Sequence, residues 1–184
     1  MTFTIHTTQS APAGSADALD ALERNIGFVP NLAATIAGSP TAMTAFVAMQ
    51  SALRGTELGA LEREVVRLTV SHENASPYSM AAHSTFAAKA GAGDELLDAL
   101  RAGEPLPDGR LEALHEFALA VLRGAGRVGD DALDAFSAAG YSPESALEVV
   151  TQIAYTTMAN LVANLAGTPV DAAFASRAWK ATTA

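Results

Sequence analysis

Apolar residues recur along this chain at intervals of three and four, the spacing of one face of an α-helix. Leu61, Val65, Leu68 and His72 form one stripe, and Leu111, Leu114, Ala118, Val121 and Leu122 form another. No stretch alternates apolar and polar positions as a half-buried strand does, and no hairpin-type turn joins two such runs. The pattern therefore predicts an all-α domain.

The breaks in the pattern carry their own chemistry. Ser39-Pro40, Ser76-Pro77, Ser142-Pro143 and Thr168-Pro169 each precede a segment rich in Ala, Leu or Val. A hydroxyl residue followed by proline is a strong helix start, because the oxygen accepts free backbone N–H groups and proline has no N–H to lose. At the last of these pairs Asp171 extends the signal towards a capping box. Glycines 55, 91, 93, 103, 124, 126, 140 and 167 supply stops. The resulting helices cover about 15–25, 30–37, 40–54, 58–73, 77–90, 93–102, 109–124, 130–139, 143–166 and 169–181. Residues 1–14 read as an N-terminal arm and 15–184 as one helical domain, since the loop 103–109 is too short for a domain linker. A faint repeat at an offset of 84 lays Glu64-Val65-Val66 over Glu148-Val149-Val150 and Ser76 over Asn160, which leaves duplication and chance composition both open.

Composition narrows the function. A chain of 184 residues buries roughly 70% of its unfolded surface, enough for a core without covalent staples. It contains no cysteine, which removes thiol catalysis, disulfides and cysteine-ligated metals together. The net charge of -9 argues against a nucleic-acid or anionic-membrane partner. Without an apolar run of membrane-spanning length or a signal-peptide pattern at the N-terminus, a soluble cytoplasmic protein is expected.

Chemistry concentrates between Glu64 and His83. Ser76 falls at the N-cap and Ser79 at the third position of the helix opened by Pro77, and the bland role for Ser76 is capping. Ser79 and His83 are four apart on one helical face, a spacing compatible with a serine nucleophile, a His83 base and a Glu64 orienter, though also common in ordinary helices. Glu64 could instead anchor an arginine, and His83 could be a hydrogen-bonded residue at the core edge. The set His72, Glu64 and His83 matches no metal-ligand spacing, so neither metal nor cofactor is expected. His115 reads as the edge of a helix face. Asn160 and Asn164, one turn apart on an apolar helix, read as hydrogen-bonding residues that fix helix packing or subunit register.

Glu64, Ser76, Tyr78, Ser79 and His83 are spaced as in the active-site motif of the alkylhydroperoxidase D / carboxymuconolactone decarboxylase superfamily, which the segment resembles. That motif is a glutamate, eleven residues, a cysteine, one residue, a histidine or tyrosine, a cysteine, three residues and a histidine. Both cysteine positions are serine here. The segment Ile26-Gly-Phe-Val-Pro-Asn-Leu32 and the stretch from Asn160 to Asp171 are similar to the peroxidase-related branch of the same superfamily. The resemblance implies an alkylhydroperoxidase D-like helical fold, a homo-oligomer such as a trimer or hexamer, and catalytic positions at Glu64, Ser76, Tyr78, Ser79 and His83. It also implies that Glu64 and His83 relay protons, with Tyr78 relaying or packing. Thiol peroxidase chemistry needs a thiolate that becomes a sulfenic acid and then a disulfide, which serine cannot supply. Three functions stay open: a peroxidase-related protein whose thiol chemistry is absent, by natural loss or engineered replacement; a cysteine-independent acid–base enzyme of decarboxylase type; and a non-catalytic oligomer that binds a small molecule or a protein.

Overall fold

The computed structural model describes residues 1–181. Among these, the α-helices are α1 (Ala13–Ile26), α2 (Asn31–Ile36), α3 (Pro40–Ala52), α4 (Ala60–Glu73), α5 (Pro77–Lys89), α6 (Asp94–Ala102), α7 (Gly109–Arg123), α8 (Asp130–Ala138) and α9 (Pro143–Ala166). Short 3₁₀ turns at Leu53–Gly55 and Ala172–Arg177 complete the ordered elements, and no strand forms among the described residues. The expected all-α class is what the chain adopts.

Helix α4 is the centre, packed against α5, α6, α7 and α9. Its buried face contributes Val65, Val66, Leu68 and Val70 to a first core shared with Leu97 and Leu100 of α6, Leu114 and Phe117 of α7 and Phe136 of α8. A second core gathers Leu19 and Leu22 of α1, Met43 and Phe46 of α3, and Phe174. Two helices belong to both. Helix α5 gives Met80 and Ala87 to the first core and Tyr78, Ala81 and Ala82 to the second; α9 gives Val149 and Ile153 to the first and Tyr155, Ala159 and Ala163 to the second. Each is apolar over most of its circumference, as a helix between two cores must be.

A line of small polar residues runs where these cores meet. Ser71, Ser76, Gln152, Thr156 and Asn160 are fully buried. Asn160 Nδ2 donates to Ser71 Oγ at 3.2 Å and its Oδ1 accepts from Asn74 Nδ2 at 3.1 Å, while Asn164 Nδ2 donates to the Asn74 carbonyl at 2.9 Å. The two asparagines of α9 thus hold the α4–α5 turn, which is the helix-packing role expected of them.

That turn is built without glycine. Asn74 ends α4, Ala75 takes the left-handed conformation at φ 46°, and Ser76 N–H returns to the Ser71 carbonyl while Ala75 N–H reaches His72. These are the two bonds of a Schellman motif. An alanine in this region carries a strain of about 1–2 kcal/mol. At Gly103, by contrast, a Cβ would stand 2.5 Å from the His72 ring, so both the positive φ of 71° and the close approach require glycine.

The helix starts divide into two groups. Ser39 and Ser142 cap their helices, accepting from Ala42 N–H at 3.3 Å and Ser145 N–H at 3.0 Å. Ser76 occupies the N-cap position, yet its hydroxyl makes no capping bond and has no hydrogen-bond partner. It already serves as the last residue of the α4 Schellman turn, and its side chain is enclosed at the meeting of the two cores. Thr168 does not cap either, and the helix expected at 169–181 is only the 3₁₀ turn Ala172–Arg177. Asp171 causes the difference: its carboxylate points inward to Tyr78 and the Asn31 N–H instead of capping its own segment.

Other expectations also change. Gly93 begins α6 instead of ending a helix, and Gly27, which was not among the expected stops, ends α1 at φ 92°. The arm is shorter than expected, because α1 starts at Ala13, and His6 N–H is hydrogen-bonded to the Ala34 carbonyl. The repeat at an offset of 84 has no structural counterpart. The break between α4 and α5 corresponds to residues 158–160, where α9 runs on unbroken.

The contrast between starts has a measurable consequence. Ser142→Ala is expected to cost about 1 kcal/mol through loss of a cap, whereas Ser76→Ala should be neutral or stabilising because it removes a buried hydroxyl with no partner. Urea unfolding of both variants at unchanged m-value checks this. A loss at Ser76 as large as at Ser142 would contradict it.

Candidate functional site

Glu64 lies in the second turn of α4 and is 6% exposed. A buried carboxylate needs compensation, and Arg67 and His83 supply it. Arg67, one turn along the same helix, donates through an Nη at 2.6 Å to one carboxylate oxygen. His83 of α5 places Nδ1 at 2.8 Å from the other. Burial by itself drives the Glu64 carboxyl upward, but the charges and hydrogen bonds of His83 and Arg67 outweigh it and hold the group below the usual glutamate range. With Nδ1 carrying the proton shared with Glu64, Nε2 is the nitrogen that offers a lone pair in neutral His83.

His83 also lines a cavity of about 110 Å³ between α1, α3, α5 and α9, together with Ser79, Tyr78, Arg67, Gln50 and Tyr155. The remaining walls are apolar, among them Leu22, Phe46, Phe86 and Phe174. Arg67 stands 5.6 Å from the Tyr155 ring centroid, so its cation is held on one side by Glu64 and on the other by an aromatic face.

The five site positions are not equivalent in space. Ser79, Tyr78 and His83 line the cavity, and Glu64 is bound to His83 but lines a neighbouring cleft, not the cavity itself. Ser76 lines neither. Ser79 and His83, although four residues apart, are not hydrogen-bonded; the Ser79 hydroxyl is buried without a partner, so the serine–histidine–glutamate alignment of a hydrolase is not formed. Tyr78 is also separate from the Glu64–His83 pair. Its hydroxyl donates to Asp171 at 2.6 Å and accepts from Leu32 N–H at 3.3 Å, and burial together with the Asp171 charge pushes the phenol far above its ordinary pKa. Its hydroxyl is hydrogen-bonded to neither Glu64 nor His83, and it ties α5 to α2 and to the segment after α9.

The arginine expected beside Glu64 is Arg67, legible from its i, i+3 spacing on the same helix. Asp171 is a second residue whose role was misread, and nothing local could reveal it because its partners Asn31 and Tyr78 lie more than ninety residues away. His115 is buried and not at a helix edge. Its Nδ1 lies 2.7 Å from Thr69 Oγ1, and burial lowers its pKa. His72 and Glu73 stand apart from the site: His72 lies beside Trp179, and Glu73 pairs with Arg123.

No protein-family model matches this chain, and no curated protein matches it by sequence. Solved structures do match. The chain is similar to the alkylhydroperoxidase AhpD core of an uncharacterized peroxidase-related protein from Ralstonia eutropha, with a TM-score of 0.83 at 24% identity over 94% of this chain and 93% of that one. An uncharacterized peroxidase-related protein from Silicibacter sp. gives a TM-score of 0.79 at 21% identity over 95% and 92%. The debrominase Bmp8, in complex with 2,3,4-tribromopyrrole, gives 0.76 at 17% identity over 96% and 95%. The fold is therefore that of the AhpD core, in a chain that has no cysteine.

The Glu64 carboxyl has a defined pH dependence. Because it is held below its unfolded value of about 4.3, the stability it contributes is fully present above that pH and is lost as pH falls through the depressed folded value. Glu64→Gln, which leaves Arg67 and His83 without their anion, is expected to destabilise by on the order of 3 kcal/mol at neutral pH. The gap should narrow on acidification. Denaturant midpoints of both proteins across the acid range check this, and a gap independent of pH would contradict it.

Proposed function

We propose that this AhpD-fold protein is a peroxidase-related protein in which thiol chemistry is absent and proton transfer remains, carried by His83 and Glu64 on a small, largely apolar molecule. One observation carries the proposal: His83 Nδ1 is 2.8 Å from a buried carboxylate while the same ring lines an apolar cavity of about 110 Å³. A histidine so held has a fixed tautomer, and the imidazolium formed when Nε2 takes a proton is stabilised by the carboxylate behind it. An apolar cavity strengthens that interaction by excluding water. Ser79 and Ser76 lie where thiols would stand in the resembling motif, and neither hydroxyl has a partner. Both sites suit a less polar side chain than serine. Bmp8 holds a halogenated pyrrole on the same fold, which supports a compact, weakly polar ligand.

Nitrobenzisoxazole, whose ring opens when a base removes its C–H proton, is a suitable probe of that base. The wild-type protein is expected to accelerate the opening, His83→Ala to abolish the acceleration, and Glu64→Gln to reduce it about tenfold or more. With peroxide and a dithiol, the same wild-type protein should show no turnover. Equal ring-opening rates in wild type and His83→Ala would overturn the proposal, as would dithiol-dependent peroxide consumption.

The setting we infer is a cytoplasmic homo-oligomer. No helix among the described residues is long and apolar enough to cross a membrane. Helix α9 presents Leu147, Val150, Leu161 and Leu165 to solvent on one side, with Leu165 73% exposed. From Val149 to Val170 the chain has no charged residue, which favours a second copy over a charged partner. Light scattering is expected to give a multiple of the 18.8 kDa chain mass, and Leu161→Glu with Leu165→Glu should shift it to monomer. A monomeric wild type would overturn this assembly.

A further inference from the structure

Next to the apolar cavity lies a cleft whose charge is opposite to that of the chain. It has a volume of about 360 Å³ and opens between the end of α3, the first half of α4 and the end of α5. Arg54, Arg63, Arg67 and Lys89 line it, and Glu64 is its single acid. The whole chain has 11 Lys and Arg against 20 Asp and Glu. Four of those 11 cations therefore converge on one concavity, while acidic groups dominate elsewhere.

Three of these four charges are not neutralised within the fold. Glu64 is already committed to Arg67 and His83. Arg54, Arg63 and Lys89 have no acidic partner among the described residues. Arg63 donates to the Leu58 carbonyl, which fixes its guanidinium near the mouth without offsetting its charge. The Lys89 ammonium is 5.9 Å from the Phe86 ring centroid, held over one wall of the cleft. Arg67 Nε is buried and has no hydrogen-bond partner. A concave surface with several uncompensated cations focuses positive potential and concentrates small anions, and guanidinium groups match the planar fork of an oxyanion.

We propose that this cleft is a binding site for a small oxyanion, a carboxylate or a phosphate, held by Arg54, Arg63 and Lys89 with Arg67 at its base. Gln50, Arg67 and Phe86 line both the cleft and the apolar cavity and so form the wall between them. An anion bound here is placed beside the Glu64–Arg67 pair and against the aromatic ring of Phe86. Its binding is independent of proton transfer at His83, and each can fail without the other.

Isothermal titration with two probes, sodium benzoate and inorganic phosphate, tests the site at an ionic strength held constant with sodium chloride. Saturable binding of at least one probe is expected. Arg54→Gln with Lys89→Gln should weaken it about tenfold or more, the loss expected when charge-assisted hydrogen bonds to an oxyanion are removed. Both residues are exposed, and unchanged melting of the double variant would show that the fold is intact. Arg24→Gln with Arg127→Gln, exposed positions away from the cleft that change net charge equally, should leave binding as in wild type. Preference for benzoate identifies an organic acid lying against Phe86, and preference for phosphate identifies a phosphate site. Absence of saturable binding by either probe would overturn the proposal, as would equal weakening in the two double variants.

Discussion

The Glu64 carboxylate, buried in the middle of α4's packing, constrains how the central helices meet. Left alone at this depth it would cost several kcal/mol, so the fold must bring hydrogen-bond donors to it from fixed directions. Arg67 comes from the same helix one turn on, and His83 comes from α5. The pair then sets the approach of α5 to α4, because a hydrogen bond of 2.8 Å tolerates little sliding. Arg67 extends the constraint to α9 through the Tyr155 ring. One carboxylate thereby couples α4, α5 and α9, the helices that also carry the buried polar line.

The polar line is where local preference and global packing disagree. Ser71, Asn74, Asn160 and Asn164 satisfy one another across α4 and α9. Ser76, Ser79 and the Gln152 carbonyl oxygen, in the same region, have no partners. Unpaired buried hydroxyls cost roughly 1–3 kcal/mol each, and Ala75 adds backbone strain at the same turn. Departures of this kind collect at functional sites, where chemistry and not stability selects the residue. Here they collect at the N-terminus of α5, beside the Glu64–His83 pair and the apolar cavity.

Tyr78 shows how remote segments of the sequence are joined. Its hydroxyl receives the Leu32 N–H from the start of α2 and donates to Asp171 beyond the end of α9. Asp171 also accepts the Asn31 N–H, and the Asn31 side chain donates to the Pro169 carbonyl. The segment beginning at Ile26, the Ser76–His83 helix and the stretch ending at Asp171 therefore meet around one phenol. Phe174 and Phe86 close the arrangement edge to face, with ring centroids 5.4 Å apart. Leu32, Tyr78, Phe86 and Phe174 thereby bring remote stretches of the sequence together in the cavity wall.

What the sequence determined by itself is the part governed by local physics. The helical period of Leu61, Val65 and Leu68, the hydroxyl–proline starts at Ser39 and Ser142, and glycine stops such as Gly103 and Gly167 each depend on neighbours within a few residues. They appear in the structure with ends shifted by at most a few positions. The spacing from Glu64 to His83 was equally legible, because a short turn between two helices allows i and i+19 to face each other. Identical local signals at Ser76 and Thr168 had other outcomes. Ser76 was enclosed between two cores, and Asp171 turned from its own segment to Tyr78 and Asn31. The separation of Glu64 from the cavity, the pairing of Tyr78 with Asp171 and the gathering of four cations into one cleft likewise depended on packing. Only the tertiary structure decided them, because burial and distant partners set the cost of each polar group, and neither is encoded in the spacing of residues along the chain.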